Sequence, residues 1–426
     1  MESVPRPPQS SSSGESPSAS GSSTRCSGKP WLEHDWLRST LTDLCSFDRE
    51  SATEGERQAA VWLVERLAEA GAGARIEDET ASGTYWWPLG IGVAAGALAG
   101  VASLRARSTA ARLAAGAVAA AAAAGIASDY PPGPRLIRKA LPARETSNVI
   151  AEIGPADAKR TVVVVAHHDT AHAGLLFHPE IPRRASERFP NLWSRADTSP
   201  PMMFPVLGGP VAVALGSLLD SRSLTALGTA LSAGAIPVFA DIARRPAVAG
   251  ANDNGTAVVL LIALARALAD QPTESVRVML VSTGSEESFS EGMKAFAARH
   301  FPELPTESTF FISVDTVGSP HLNLLEGEGF LRMYEYPKDA IAMAAETADE
   351  LGIWLYPNLR LRNGTDGLEP LAAGYPALSM CSVTDYKAPS NYHWETDTPD
   401  RVTYETLVDA IRLTEGVVRR LDRSWI

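Results

Sequence analysis

Cysteine is scarce in this chain of 426 residues. Cys26, Cys45 and Cys381 lie far apart with no CxxC pair, which excludes a disulfide scaffold and a cysteine zinc knuckle. Any metal must therefore be held by His, Asp and Glu. Positive charge is also in deficit, 38 Lys and Arg against 50 Asp and Glu, and the net charge of -12 argues against a nucleic-acid partner. Residues 1–30 lack the basic start and continuous apolar run of a secretory signal, so export by the usual route is not indicated. They are rich in Ser, Pro and Gly and are expected to form a disordered tail. What remains, residues 31–426, is long enough to bury a large core, since 45% of the chain is hydrophobic.

The spacing of Ala60, Leu63, Val64 and Leu67 predicts a helix over 55–71, with Gly71 suited to its end. From residue 147 onward apolar runs alternate with helical patterns. Strands are expected at 147–153, 161–169, 276–283 and 309–317, and helices at 256–270, near 337–351 and at 403–422. Continuous apolar strands separated by helices indicate an α/β fold with a mixed, mainly parallel central sheet flanked by helices. In such sheets ligands gather where strands run out into loops.

Two apolar pairs interrupt this pattern. Residues 88–104 and 109–127 form one, and 202–219 and 223–240 the other, giving inserted helical hairpins over 88–127 and 202–240. Each segment approaches the roughly 20 residues that cross a bilayer, and Tyr85, Trp86 and Trp87 stand where an interfacial aromatic belt would lie. The expectation is membrane association. The alternative is a soluble accessory cap or dimer surface, because Ala and Gly contribute little transfer energy. Two hairpins leave the termini and the main domain on one side. Arg135, Arg138, Lys139, Arg144, Arg183, Arg184, Arg188, Arg195, Arg244 and Arg245 flank them there, against Arg105, Arg107, Arg112 and Arg222 in the turns, which favours a cytoplasmic main domain.

Polar residues punctuate the strand ends. In "AHHDT", His167 and Asp169 are two apart and share a face, an imidazole beside an orienting carboxylate. "GANDNG" sets Asp253 in a loop before an apolar helix, "GSEES" supplies adjacent Glu286 and Glu287, and "SVDTVGS" places Asp315 after an aromatic run. "YHWETDT" adds Tyr392 and His393. Taken singly, these read as surface polarity, a helix cap, a solvated charge pair and a surface histidine, although an unpaired charge at Asp315 would be costly. Together they are the oxygen and nitrogen donors that suit two zinc ions sharing a carboxylate.

The five motifs in this order resemble the zinc exopeptidase family of bacterial leucyl aminopeptidases, glutaminyl cyclases and transferrin-receptor-like domains, over about residues 50–420 apart from the apolar insertions. The resemblance implies that His167, Asp253 and Asp315 bind one zinc and Asp253, Glu287 and His393 the other. Glu286 would be general base and acid, Asp169 would orient His167, and Tyr392 would help hold the oxyanion. The implied activity is a di-zinc aminopeptidase acting on a peptide substrate. A single-zinc glutaminyl-cyclase-like transferase and a non-catalytic binding module are the alternatives. The chain departs from the family in "GTDGLEP", where many members have Ser-Asp-His and Gly367 stands in place of the histidine.

Overall fold

The computed structural model describes residues 29–425. The tail expected over 1–30 lies outside the described residues save for its last two, and Lys29 is already paired with Glu415 at 3.0 Å. Helices α1 (His34–Leu44) and α2 (Glu54–Glu69) come first, followed by strand β1 (Gly73–Ala81). Thr53 caps α2 by accepting from Glu56 N–H, and the chain leaves the helix through Gly71 at φ 90°. Helices α3 (Trp86–Arg105) and α4 (Thr109–Asp129) arise from the first apolar pair.

Strands β2 (Arg144–Ile153) and β3 (Arg160–His167) precede two short helices, α5 (Glu180–Arg188) and α6 (Pro190–Arg195). The second apolar pair forms α7 (Phe204–Leu218) and α8 (Arg222–Ile242). Then come α9 (Thr256–Asp270), β4 (Val276–Thr283), α10 (Glu291–His300), β5 (Thr309–Val314), β6 (His321–Glu328) and β7 (Tyr334–Glu335). The chain closes with α11 (Lys338–Leu351), β8 (Tyr356–Leu361), α12 (Leu368–Ala372), β9 (Ala377–Val383) and α13 (Tyr404–Arg423).

The strands form one sheet in the order β1-β2-β4-β3-β5-β9-β6-β7, with β8 beside β6. Its centre, β4-β3-β5-β9, is parallel, and β1, β2, β6 and β7 add antiparallel pairings. Val162 to Val165 are wholly buried because α9, α13, α1 and α2 cover one face, while Phe296 of α10 and Phe311 fill the other. The register sets His167 level with Thr283 and Val165 level with Ser313, so β3, β4 and β5 all run out at one edge. β3 ends at His167, short of the expected residue 169. Asp169 turns instead into the loop whose Thr170 N–H bonds Arg49 O.

Helices α3, α4, α7 and α8 form a four-helix bundle in which α3 packs on α4 and α8, and α7 on the same two. Small residues set the spacing: a Cβ on Gly228 would stand 2.6 Å from Gly209 O, and one on Gly209 2.9 Å from Ser232 N. Large apolar side chains point outward, Leu98 being 73% and Leu218 64% exposed. Three of the four helices are long and apolar enough to cross a membrane; Phe204–Leu218, with 15 residues, is shorter. The expected aromatic belt is corrected here. Only Trp87 is exposed, whereas Tyr85 stacks on Phe289 and Trp86 packs against His172, because the bundle's base rests on the sheet domain.

Candidate metal centre

The loops leaving β3, β4, β5 and β9 converge on a buried constellation. His167 follows four buried valines and directs Nε2 to Asp253 Oδ1 at 3.4 Å and Asp315 Oδ2 at 3.8 Å. His393, from the loop after β9, directs Nε2 to Asp253 Oδ2 at 3.3 Å and Glu287 Oε2 at 3.1 Å. Asp253 thus offers one oxygen to each histidine. Donor atoms of His167, Asp253 and Glu287 lie within 4.8 Å of one another. Glu286 Oε2 stands 3.9 Å from His167 Nε2, and Tyr392 stacks on His393 with ring centroids 3.8 Å apart. All eight residues singled out by sequence are therefore brought to one place.

The ordinary readings of the motifs do not describe this arrangement. Asp253 is not a cap of α9, whose N-cap is Gly255 without any side-chain hydrogen bond. It sits in the irregular turn Ala251–Gly255, entered through Gly250 at φ 60°, where a Cβ would stand 2.3 Å from Thr170 Cγ2. Glu287 is not solvated but 8% exposed.

Supporting side chains hold these loops: Asp169, singled out by sequence, and Ser51, Glu56, Asp397 and Arg49, which sequence reading missed. Asp169 Oδ1 accepts Glu286 N–H at 3.0 Å, its Oδ2 accepts Glu287 N–H at 3.1 Å and the Ser51 hydroxyl at 2.5 Å, and Oδ1 also faces His167 Nδ1 at 3.4 Å. Glu56, buried on α2, accepts from the N–H groups of Ala52, Ser147 and Ser285. Asp397 accepts Asn252 N–H at 2.8 Å and Asp253 N–H at 3.1 Å. Arg49, with no exposed surface, donates to Leu44 O, His168 O and Gly250 O. Glu56 did leave a signal: it continues the apolar stripe of Ala60, Leu63 and Leu67, and an acid on that face must have buried partners.

The electrostatics are those of a cation site. Burial raises Glu286, Glu287 and Asp315 above the usual carboxylate range, and their mutual repulsion adds to it. Burial likewise opposes ionisation of Asp253, but the His167 and His393 rings, 3.4 and 3.3 Å away, outweigh it and hold that carboxyl low. Burial would lower His393, yet the Glu287 and Asp253 charges lift it to about 10. Asp366, 2% exposed, bonds the Thr283 hydroxyl and rises to about 6 through burial despite the pull of His167. Among the described residues the ion-pair partners of Asp253, Glu286, Glu287 and Asp315 are histidines alone. Asp253 Oδ2, Glu287 Oε1 and His393 Nδ1 are buried without any hydrogen-bond partner. Surplus carboxylates, two imidazoles and orphaned oxygens form a donor set that fits zinc.

Comparison with known proteins agrees. The family model of Peptidase family M28 matches residues 212–418, which take in Asp253, Glu286, Glu287, Asp315 and His393; His167 and Asp169 lie ahead of that span. No curated protein matches the chain. A Zn-dependent exopeptidase from Parabacteroides distasonis superposes with a TM-score of 0.52 at 14% identity, covering 92% of this chain and 99% of that one. An aminopeptidase from an Aneurinibacillus strain gives 0.53 at 13%, covering 92% and 94%, and a glutaminyl cyclase from Fimbriiglobus ruber 0.52 at 16%, covering 91% and 95%. At these identities the likeness is one of fold. Residues 212–418, which carry most of the metal-centre donors, are similar to Peptidase family M28, and the chain shares the fold of these solved structures.

Proposed function

We propose that the protein is a di-zinc aminopeptidase that hydrolyses N-terminal peptide bonds. The observation that carries the reading is Asp253, with one oxygen toward His167, whose Nε2 also faces Asp315, and the other toward His393, whose Nε2 also faces Glu287. His167, Asp253 and Asp315 would hold one zinc, and Asp253, Glu287 and His393 the second. Zinc supplies Lewis acidity, polarising a carbonyl and making water acidic near neutral pH. Glu286, adjacent to the ligands and held by the Ser290 hydroxyl at 3.0 Å, takes the proton of the attacking water and returns it to the leaving amine. Burial and the nearby charges of Asp253, Glu287 and Glu286 keep the Tyr392 hydroxyl protonated, so it can donate to the developing oxyanion. Asp169 fixes His167 and both glutamate N–H groups.

The glutaminyl-cyclase fold likeness keeps a transferase of the same scaffold as the second reading. Metal content separates them. Two zinc ions per chain together with release of the N-terminal residue from fluorogenic aminoacyl amides support the peptidase. One zinc with cyclisation of N-terminal glutamine and no amide cleavage supports the cyclase.

The bundle is proposed to span a membrane. Small residues inside and exposed leucines outside suit a lipid solvent, and 22% of the apolar window of Arg222–Ile242 is buried. The charge bias behind the proposal of a cytoplasmic catalytic domain is narrower in three dimensions. Arg138 is buried against Asp129 and Glu291, and Arg135 is bonded to Phe289 O and Ser290 O, so neither faces a headgroup.

A further inference from the structure

Between the first metal-centre loop and the second hairpin, α5 and α6 bury none of their residues. Short helices draw most of their stability from packing an apolar face; here the chain supplies mainly an anchor at the far end, where half-buried Trp193 donates to Tyr386 O at 3.0 Å and Lys387 donates to Trp193 O at 2.8 Å. Their apolar side chains are nevertheless present and outward: Ile181 is 50%, Phe189 54% and Leu192 70% exposed, and Leu175, just ahead of them, 57%. Four arginines share the segment with Glu180 and Glu187; Arg183 and Arg184 pair with those two acids, and Arg188 and Arg195 carry the two net positive charges, in a chain whose total is -12.

Position gives this surface its meaning. Leu175 N–H bonds the Asp241 carboxylate at 2.7 Å, which fixes the segment's start to the end of α8 nearest the sheet domain. Its other end runs through Met202 and Phe204, 37% and 42% exposed, into α7. Apolar and basic side chains thus continue outward from the bundle at the level where its helices enter the sheet domain. We infer that residues 175–195 lie in the plane of the bilayer surface, apolar side chains among the acyl chains and arginines on anionic headgroups. This rests on the bundle spanning the membrane but not on the reaction assigned to the metal centre.

The consequence for the site is direct. Phe177, inside the segment, meets the His393 ring at 4.6 Å and the Tyr392 ring at 5.7 Å, and His178 meets Trp394 at 4.7 Å. A segment held by lipid therefore forms one wall of the metal centre, and peptide ends emerging from the bilayer surface are the substrates nearest to it.

The test uses the full chain, with Cys26 and Cys45 replaced by serine, in vesicles of phosphatidylcholine mixed with phosphatidylglycerol that carry nitroxide-labelled acyl chains. A fluorophore is placed at Leu192→Cys, or at Leu98→Cys in the middle of α3. Both labels should be quenched, Leu192 by the shallow nitroxide and Leu98 by the deep one. Each exposed arginine strengthens attachment to an anionic surface roughly fivefold. Arg183→Glu, Arg184→Glu and Arg188→Glu together should therefore reduce quenching at Leu192 to that of the aqueous control and leave Leu98 unchanged. Quenching at Leu98 with none at Leu192 overturns the inference while the bundle stays in the membrane. Quenching at neither overturns the spanning bundle and this inference with it. The peptidase reading stands or falls separately, on the zinc content and aminoacyl-amide turnover of the wild type.

Discussion

Glu286 and Glu287 are neighbours in the chain and turn to opposite halves of the centre, Glu286 Oε2 3.9 Å from His167 Nε2 and Glu287 Oε2 3.1 Å from His393 Nε2. Both backbone N–H groups bond Asp169, so one carboxylate sets the divergence of two others. The roles proposed for them separate experimentally. Glu287→Gln should lower bound zinc, since a neutral amide is a poor ligand for a dication. Glu286→Gln should keep the metal and lose roughly 10²–10⁴-fold in kcat. Zinc content and turnover, measured on both variants, decide; near-normal turnover in Glu286→Gln rules out its part as base.

Asp169→Asn tests the shared anchor. An amide cannot accept at both ends, so either Glu286 N–H, or Glu287 N–H and the Ser51 hydroxyl, would face a donor. Activity should fall roughly 10–100-fold, as is usual for groups that orient metal ligands. Asp169→Glu should recover little, because its extra methylene displaces the same contacts. Parallel melting curves show whether the loss is local.

Glu328 gives stability a pH dependence independent of the metal. It is wholly buried, which raises its carboxyl to about 7 even though Tyr336 and Thr365 hydrogen-bond it. Its folded pKa exceeds the unfolded value of 4.5, so its protonated form stabilises the fold below that value and the benefit fades as pH rises through about 7. Glu328→Gln can donate to Tyr336 Oη and accept from Thr365 N–H at every pH. Between about pH 5.5 and about pH 8.5 the wild type should lose more stability than this variant, by roughly 2 kcal/mol, seen as a larger fall in Tm. Equal losses would show that Glu328 is ionised throughout.

Gly228 tests the bundle. Its Cβ position is 2.6 Å from both Gly209 O and Val213 N, backbone atoms that cannot turn aside. Gly228→Leu should cost about 1–3 kcal/mol or more by forcing α7 from α8. The chain should then melt earlier in detergent, whereas Leu227→Ala, on the neighbouring exposed position, should leave Tm almost unchanged.

The sequence by itself determined three of the four strands whose loops carry chemistry, β3, β4 and β5, and the donors of the centre. Runs such as Val162 to Val165 and Thr309 to Val314 combine β-branched or aromatic content with an abrupt polar stop, and both signals are local. β1, β6 and β9 escaped notice for the converse reason. β1 is mostly polar at a sheet edge, and Ala377, Ser379, Cys381 and Ser382 of β9 have little strand character of their own and are buried because β5 and β6 lie on either side. Only the tertiary structure decided that Glu56 and Asp397, distant in sequence, hold the loops of Ser285 and Asp253, since a carboxylate's partners are chosen by chain crossings. It alone decided, too, that Tyr85 and Trp86 face protein while Trp87 faces outward. Hydropathy registers how apolar a side chain is, and the docking of the bundle on Phe289 and His172 determined what each one touches.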